Sequence, residues 1–267
     1  MIPYLLIVPV IVYLSIFLFV PLTSAIGLAF EEGNLIRALT DSRFWDSLCN
    51  TLLLTAATVP LQILTAFLIA YLLRTRLRRS GFYLYLFSIP IGISDLAAGL
   101  VMFSIFTHHG WLNSFLYQLN IIQNPIPFIS YERSGLVFWA IVIAEHWRAT
   151  AIVLIILTAG LEMISKELID AAEIFGASTF QKLRFVIIPL LRPSIQSALI
   201  IRTIFALQMF GVVLALSGEI IPVLAGESYF WFQIYRNRNI ASVYALTLMF
   251  ISLIMTWVYI RLLRVRR

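Results

Sequence analysis

Six long apolar runs constrain this chain more than any motif does. They cover about residues 4–30, 47–73, 82–106, 136–159, 194–217 and 240–263. The hydrocarbon core of a bilayer is about 30 Å thick and takes roughly 20 helical residues to cross. Within it every backbone N–H and C=O must be satisfied internally, which leaves helices as the structure for runs of this length. The expected fold class is an all-α membrane protein with six transmembrane helices, forming a single domain over residues 1–267. Composition agrees, with 61% hydrophobic and 12% charged residues, against about 25% charged in a typical soluble domain. The first run is longer than the roughly 7–15 residues of a signal-peptide core and has no basic segment ahead of it. It reads as a retained span, with Pro3, Pro9 and Pro21 as expected bends or ends.

Orientation follows from the bases. Arg74, Arg76, Arg78 and Arg79 fill the second connection. Lys166, Lys182, Arg184 and Arg192 fill the fourth, and Arg261, Arg264, Arg266 and Arg267 the tail. These are twelve of the nineteen bases, whereas the opposite loops hold Arg37, Arg43, Arg133, Arg236 and Arg238. The positive-inside bias puts the twelve, and both termini, in the cytoplasm. The net charge of +6 and pI of 9.7 therefore reflect topology. They do not mark a nucleic-acid face, and lipid is the expected surrounding. On the outer side, residues 33–45 are expected along the membrane surface and 111–122 as a short helix, followed by the turn signal Asn124-Pro125-Ile126-Pro127. Tyr229, Phe230, Trp231, Phe232 and Tyr235 suit a membrane interface, and the same aromatics would suit sugar stacking.

Four charges fall within the runs: Asp95, Glu145, Arg148 and Arg202. Each costs about 2.5–3.5 kcal/mol on insertion scales unless it faces protein or water. Asp95 and Arg148 sit at similar depth, so an ion pair or a shared water-filled cavity is expected. Glu145 and Arg148 are three apart and share a helix face. Such residues either knit helices together or line a polar pathway, and both readings stand. Arg202, near the cytoplasmic end of its run, could instead snorkel.

Catalytic patterns are absent. No Gly-Lys pair occurs, so no Walker-type nucleotide loop exists. His108, His109 and His146 lack metal-ligand spacing, Gly-x-Ser-x-Gly does not occur, and the lone Cys49 has no partner for a disulfide. No catalytic residue, no metal site and no cofactor on this chain are expected. An enzyme is the least favoured class. Transport remains, as does a non-transport membrane scaffold that docks a cytoplasmic partner.

The longest polar-rich interval, residues 166–193 in the loop of residues 162–193, carries the sequence Asp170-Ala171-Ala172, then Gly176, then Val186-Ile187-Ile188-Pro189. This spacing resembles the cytoplasmic loop of the permease subunits of binding-protein-dependent ABC importers, with Asp170 in place of the usual Glu. Ala177 and Phe180 fit the pattern, whereas Phe175 stands where most of that family has Asp. The opening Pro3-Tyr4-Leu5-Leu6, the segment Ala144-Glu145-His146-Trp147-Arg148 and the stretch Arg202 to Phe210 resemble carbohydrate permeases of the maltose, trehalose and glycerol-phosphate type. Leu216-Ser217-Gly218-Glu219 departs from their Gly-rich turn.

The resemblance implies a sugar or oligosaccharide permease in a prokaryotic plasma membrane. It implies a second, different permease chain, a dimer of cytoplasmic ABC ATPases holding ATP and Mg, and an extracytoplasmic substrate-binding protein. The loop between the fourth and fifth spans would be a cytoplasmic coupling helix, moved by the ATPases as a lever. Its residues would be Glu167, Asp170, Ala171, Ala172, Glu173, Phe175, Gly176, Ala177, Phe180 and Pro189. Leu168, Ile169, Ala172 and Phe175 recur at roughly helical spacing and form the expected docking face, with Gly176 ending the helix and Pro189 and Pro193 restarting the chain. The candidate substrate pathway comprises Asp95, Glu145, Trp147, Arg148, Gln208 and Phe210. For Trp147 and Phe210, helix packing is the competing role.

Overall fold

A computed structural model describes residues 2–75 and 80–262. Arg76, Arg78, Arg79, Leu263, Arg264, Arg266 and Arg267, used above for orientation and run ends, lie outside the described residues. Among those described, all regular structure is helical. In chain order the helices are α1 (Ile2–Leu14), α2 (Val20–Phe30), α3 (Asn34–Thr40), α4 (Ser42–Thr75), α5 (Ser80–Ser88), α6 (Asp95–Phe106) and α7 (Trp111–Gln118). There follow α8 (Ser134–Glu162), α9 (Lys166–Ile174), α10 (Thr179–Lys182), α11 (Ile188–Leu207), α12 (Gly211–Ser217), α13 (Leu224–Tyr229) and α14 (Arg238–Leu262). Among the described residues, five helical stretches are long and apolar enough to cross a membrane, or six if one bent pair counts as a span.

Contacts group the chain into two units. The first holds Met1–Cys49 and Pro222–Ile251, the second Asn50–Ile221 and Ser252–Arg267. In the first unit, α1 passes through a π-helical turn, Ser15–Phe19, into α2, whose first turn holds Pro21. The most apolar window of Ile7–Phe30 has no buried residue. In lipid this carries no penalty, because acyl tails solvate an apolar helix as well as another helix does. Arg43 donates to Glu227 at 2.9 Å, and the Phe44 and Tyr244 rings lie 5.2 Å apart.

In the second unit α4, α8 and α11 share a core of Ala66, Ala70, Val153, Leu154, Leu157, Leu191 and Ala198. Small residues let these backbones approach. Gly160 shows how closely, since a Cβ there would run into Ser194 of α11. Arg74 donates to the carbonyls of Leu161 and Ile164, the latter at 2.6 Å, and so satisfies acceptors that the end of α8 leaves open.

Two apolar runs are not single helices. The expected third span, 82–106, breaks: Ser80–Gly92 and Asp95–Gln118 meet at a bend of 98°. Pro90 and Gly92 lie in a 3₁₀ turn, and Ser94 caps the new helix by accepting from the Ala97 N–H at 3.3 Å. Asp95 is thus the first residue of α6 rather than a mid-helix residue. The expected fifth span, 194–217, also shifts. Its helix already starts at Thr179 and ends at Leu207, the chain breaks at 208–210, and α12 resumes at Gly211. Pro189 and Pro193 do not restart a chain but sit inside this helix. A π-helical turn, Leu183–Ile187, precedes Pro189 and loosens the ladder where a proline ring would otherwise press on the carbonyl four residues back.

Candidate functional site

The charges within the runs converge in the second unit. Arg148 follows Glu145 by one turn of α8, and its Nε and Nη2 donate to the Glu145 carboxylate at 2.9–3.2 Å. The same Nη2 lies 2.7 Å from Oδ1 of Asp95. From α11, Arg202 Nη2 donates to Glu145 Oε1 at 2.9 Å and Arg202 Nε to Gln62 Oε1 at 2.8 Å. Gln62, on α4, donates through Nε2 to the Glu145 main-chain carbonyl at 3.0 Å. Two carboxylates, two guanidiniums and an amide thus tie together α4, α6, α8 and α11. Each charge has an opposite charge within hydrogen-bonding distance, the condition under which charge is tolerated away from water.

Exposure runs in one direction across this cluster. The side chains of Arg202 and Glu145 are 0% and 1% exposed, that of Arg148 13%, and that of Asp95 40%. Arg202 does not snorkel, because both of its elected partners lie inward. Its Nη1 is buried without a partner.

The two helix breaks meet beside Asp95. A Cβ on Gly211 would stand 2.7 Å from Cβ of Asp95 and 2.8 Å from the Leu96 nitrogen. On the next turns, Gly99 packs against Val212 and Ala215 just as closely. Only glycine permits the N-terminal ends of α6 and α12 to cross at this distance. Gln208, exposed, and Phe210, half-buried, occupy the break just before Gly211. Trp147 is 38% exposed and takes no part in the hydrogen-bonded cluster. The structure therefore brings together Asp95, Glu145 and Arg148, puts Gln208 and Phe210 in the adjoining break, and leaves Trp147 on another face of α8. Sequence reasoning missed Gln62 and the inward role of Arg202. A lone amide two residues past Pro60 in an apolar run was the available signal, since such a group needs a partner in lipid.

The second polar region is α9 and its surroundings. Gly176 takes φ +78°. The N–H of Ala177 reaches the Ala172 carbonyl at 3.0 Å and that of Gly176 the Glu173 carbonyl at 2.9 Å, a Schellman ending that requires the left-handed residue. Ser178 and Gln181 then form a capping box that starts α10. Glu167, Asp170, Ala171 and Glu173 are exposed. Lys182 hydrogen-bonds Glu173 and holds its carboxyl below the usual range, and the main-chain N–H of Glu167 with the Ser165 hydroxyl does the same for Glu167. Phe175 is 90% exposed, Ile174 85% and Phe180 66%. The expected docking face needs one correction: Ile169 packs down onto the α4/α8/α11 core, because the period of a nine-residue helix does not say which side lies over the bundle. The outward apolar surface is Leu168, Ile174, Phe175 and Phe180. Ala172 and Ala177 are half-buried, and Pro189 is inside the long helix.

The sequence pattern of the binding-protein-dependent transport system inner membrane components matches residues 35–265. The chain belongs to this family. As an inner-membrane permease component it is a transport subunit and not an enzyme. It is 31% identical over 222 residues to the lactose transport system permease protein LacF of Rhizobium radiobacter, covering 78% of this chain and 73% of that one. To the trehalose/maltose transport system permease protein MalF of Thermococcus litoralis it is 28% identical over 229 residues, covering 80% and 76%. Its fold is that of a bacterial ABC transporter involved in import of the acidic polysaccharide alginate, with a TM-score of 0.85 over 98% of this permease and 95% of that chain at 18% identity. The broken third and fifth runs thus belong to an integral membrane permease, where irregular backbone within the bilayer is tolerated only against protein or a water-filled cavity.

Proposed function

We propose that this permease carries a sugar or oligosaccharide inward across a prokaryotic plasma membrane. In this reading it pairs with a second, different permease chain and receives solute from an extracytoplasmic binding protein. ATP and Mg reside on a separate pair of cytoplasmic ATPases, and this chain holds no cofactor. The whole chain forms one six-span domain with both termini in the cytoplasm, and α9 is the coupling helix. Glu167, Asp170, Ala171, Ala172, Glu173, Phe175, Gly176, Ala177 and Phe180 meet the ATPase, while Pro189 belongs to the helix that follows. The solute passes Asp95, Arg148, Gln208 and Phe210, with Glu145 behind them and Trp147 flanking.

The observation that carries the reading is α9 itself. It is a short amphipathic helix outside the apolar runs, ended by Gly176, with Phe175 90% exposed among the described residues. An aromatic left that open is a docking feature in search of a pocket. The sugar class is supported by the transport systems after which the relatives are named. The test is co-purification with the ATPase and measurement of ATP hydrolysis stimulated by loaded binding protein. Phe175→Ala is expected to leave the permease's own unfolding unchanged within about 0.5 kcal/mol, yet to cut stimulated hydrolysis by about tenfold, the equivalent of about 1.4 kcal/mol of lost contact. Full stimulation in this variant, and in Asp170→Lys, sinks the docking assignment.

A further inference from the structure

We propose that Asp95 is an anion filter, so that this permease passes uncharged sugars and turns away acidic ones. The inference rests on the carbohydrate reading above and narrows it. The cluster holds two carboxylates and two guanidiniums, and its net charge is zero. Its charges are not equally accessible. Both cations lie inward: Arg202 is fully covered and the Arg148 side chain is 13% exposed, while the Asp95 side chain is 40% exposed. Arg148 is already committed, with Nη2 at 2.7 Å from Asp95 and 2.9 Å from Glu145. The buried Nη1 of Arg202, though unpartnered, is out of reach of any solute. What the cluster presents outward is therefore a carboxylate.

The helix ends strengthen this. The N-terminus of α6 would by itself attract an anion, but Asp95 is its first residue and offsets that partial charge. Gln208, an exposed amide, and Phe210, half-buried, lie in the break that leads into Gly211, which packs against Asp95. Hydroxyl groups can donate to the Asp95 carboxylate and exchange hydrogen bonds with Gln208, and an apolar sugar face can lie on Phe210. A uronate or sugar phosphate in the same place would meet a like charge, with Arg202 covered and Arg148 already paired to that carboxylate.

The experiment uses the assembled transporter in nanodiscs without binding protein, so that the binding protein's own selectivity does not enter. Saturation-transfer NMR titrations compare trehalose and maltose with trehalose 6-phosphate and digalacturonate. The wild type is expected to bind the neutral probes at least about tenfold more tightly than the acidic ones, a difference within the reach of one like-charge contact. Asp95→Asn keeps a hydrogen-bond acceptor for Arg148 but leaves the cluster one positive charge in excess. It should bring the ratio to about threefold or less, while Asp95→Glu keeps it. Should Asp95→Asn fail to assemble, the wild type alone decides. Raising salt from about 0.01 M to about 1 M shortens the Debye length from about 30 Å to about 3 Å and should shrink the discrimination. Equal wild-type binding of acidic and neutral probes overturns the filter and leaves the carbohydrate reading intact, as does a ratio unmoved by Asp95→Asn or by salt. If neither class binds, the carbohydrate reading fails and the filter falls with it.

Discussion

Two polar regions among the described residues solve opposite problems. In the cluster of Gln62, Asp95, Glu145, Arg148 and Arg202 every charge meets an opposite charge within the chain, and Glu145 takes two guanidiniums. The α9 segment turns most of its charges and its largest aromatics outward, with Glu173 and Lys182 its internal ion pair. The first region spends its polarity on joining four helices, the second on remaining available to something else. Charge in a membrane protein is thus read not from residue type but from whether its partners are already present.

That contrast can be broken at three points. The largest effect is expected at the inward end of the cluster. Arg202→Met strips Glu145 and Gln62 of a donor where water cannot replace it, and should cost about 3–5 kcal/mol in unfolding of the purified protein in detergent. Glu145→Gln with Arg202→Met should recover part of this, with a coupling of at least about 1 kcal/mol; strict additivity would mean that the two do not act as a unit. Next comes the crossing of α6 and α12. Gly211→Ala places a methyl against Asp95 and the backbone of Leu96, and a loss of about 1–3 kcal/mol is expected from such overpacking, read by the same unfolding measurement. A variant as stable as the parent would show that the crossing is not tight.

The smallest effect belongs to α9. The Glu173 carboxyl is held below its ordinary value of 4.5 chiefly by the hydrogen bond from Lys182. A depressed carboxylate contributes stability that is complete above the ordinary value and lost as pH falls through the lowered one. Amide exchange in α9, corrected for its intrinsic pH dependence, should therefore rise only in acid, below pH 4.5. Glu173→Gln should weaken that dependence, the remainder belonging to the Glu167 carboxyl at the start of the helix, and an unchanged profile would show that the pair does not hold the helix end.

Much of this was legible beforehand. Apolar length marked the regions that hold helices long and apolar enough to cross a membrane, and the meeting of Asp95 with Arg148 follows from matched depth. The ending of α9 at Gly176 follows from glycine's tolerance of positive φ. The breaks were not read, although Pro90, Gly92 and the Ser94-Asp95 pair are helix-stop and helix-start signals. Hydropathy averages across a run and does not register a change of direction inside it. Gln62 escaped for a related reason: it is neutral, and its importance comes from Arg202, 140 residues away. The downward face of α9 was hidden because Ile169 and Phe175 are alike to a periodicity and differ only in what lies beneath them.

The π-helical turn at Leu183–Ile187 sets an angle. One helical residue corresponds to about 100° of rotation, and a π turn accommodates one residue more than an α turn does. Arg202 lies downstream on the same helix, while α9 and its outward aromatics lie upstream. Rewinding the turn as α-helix with no residue removed would leave a continuous helix but put the two ends out of phase by about a quarter turn. Either Arg202 would lose Glu145, or Phe175 would point elsewhere. The turn works as a keyway, fixing how an outward-facing surface is clocked against a charge cluster it never touches.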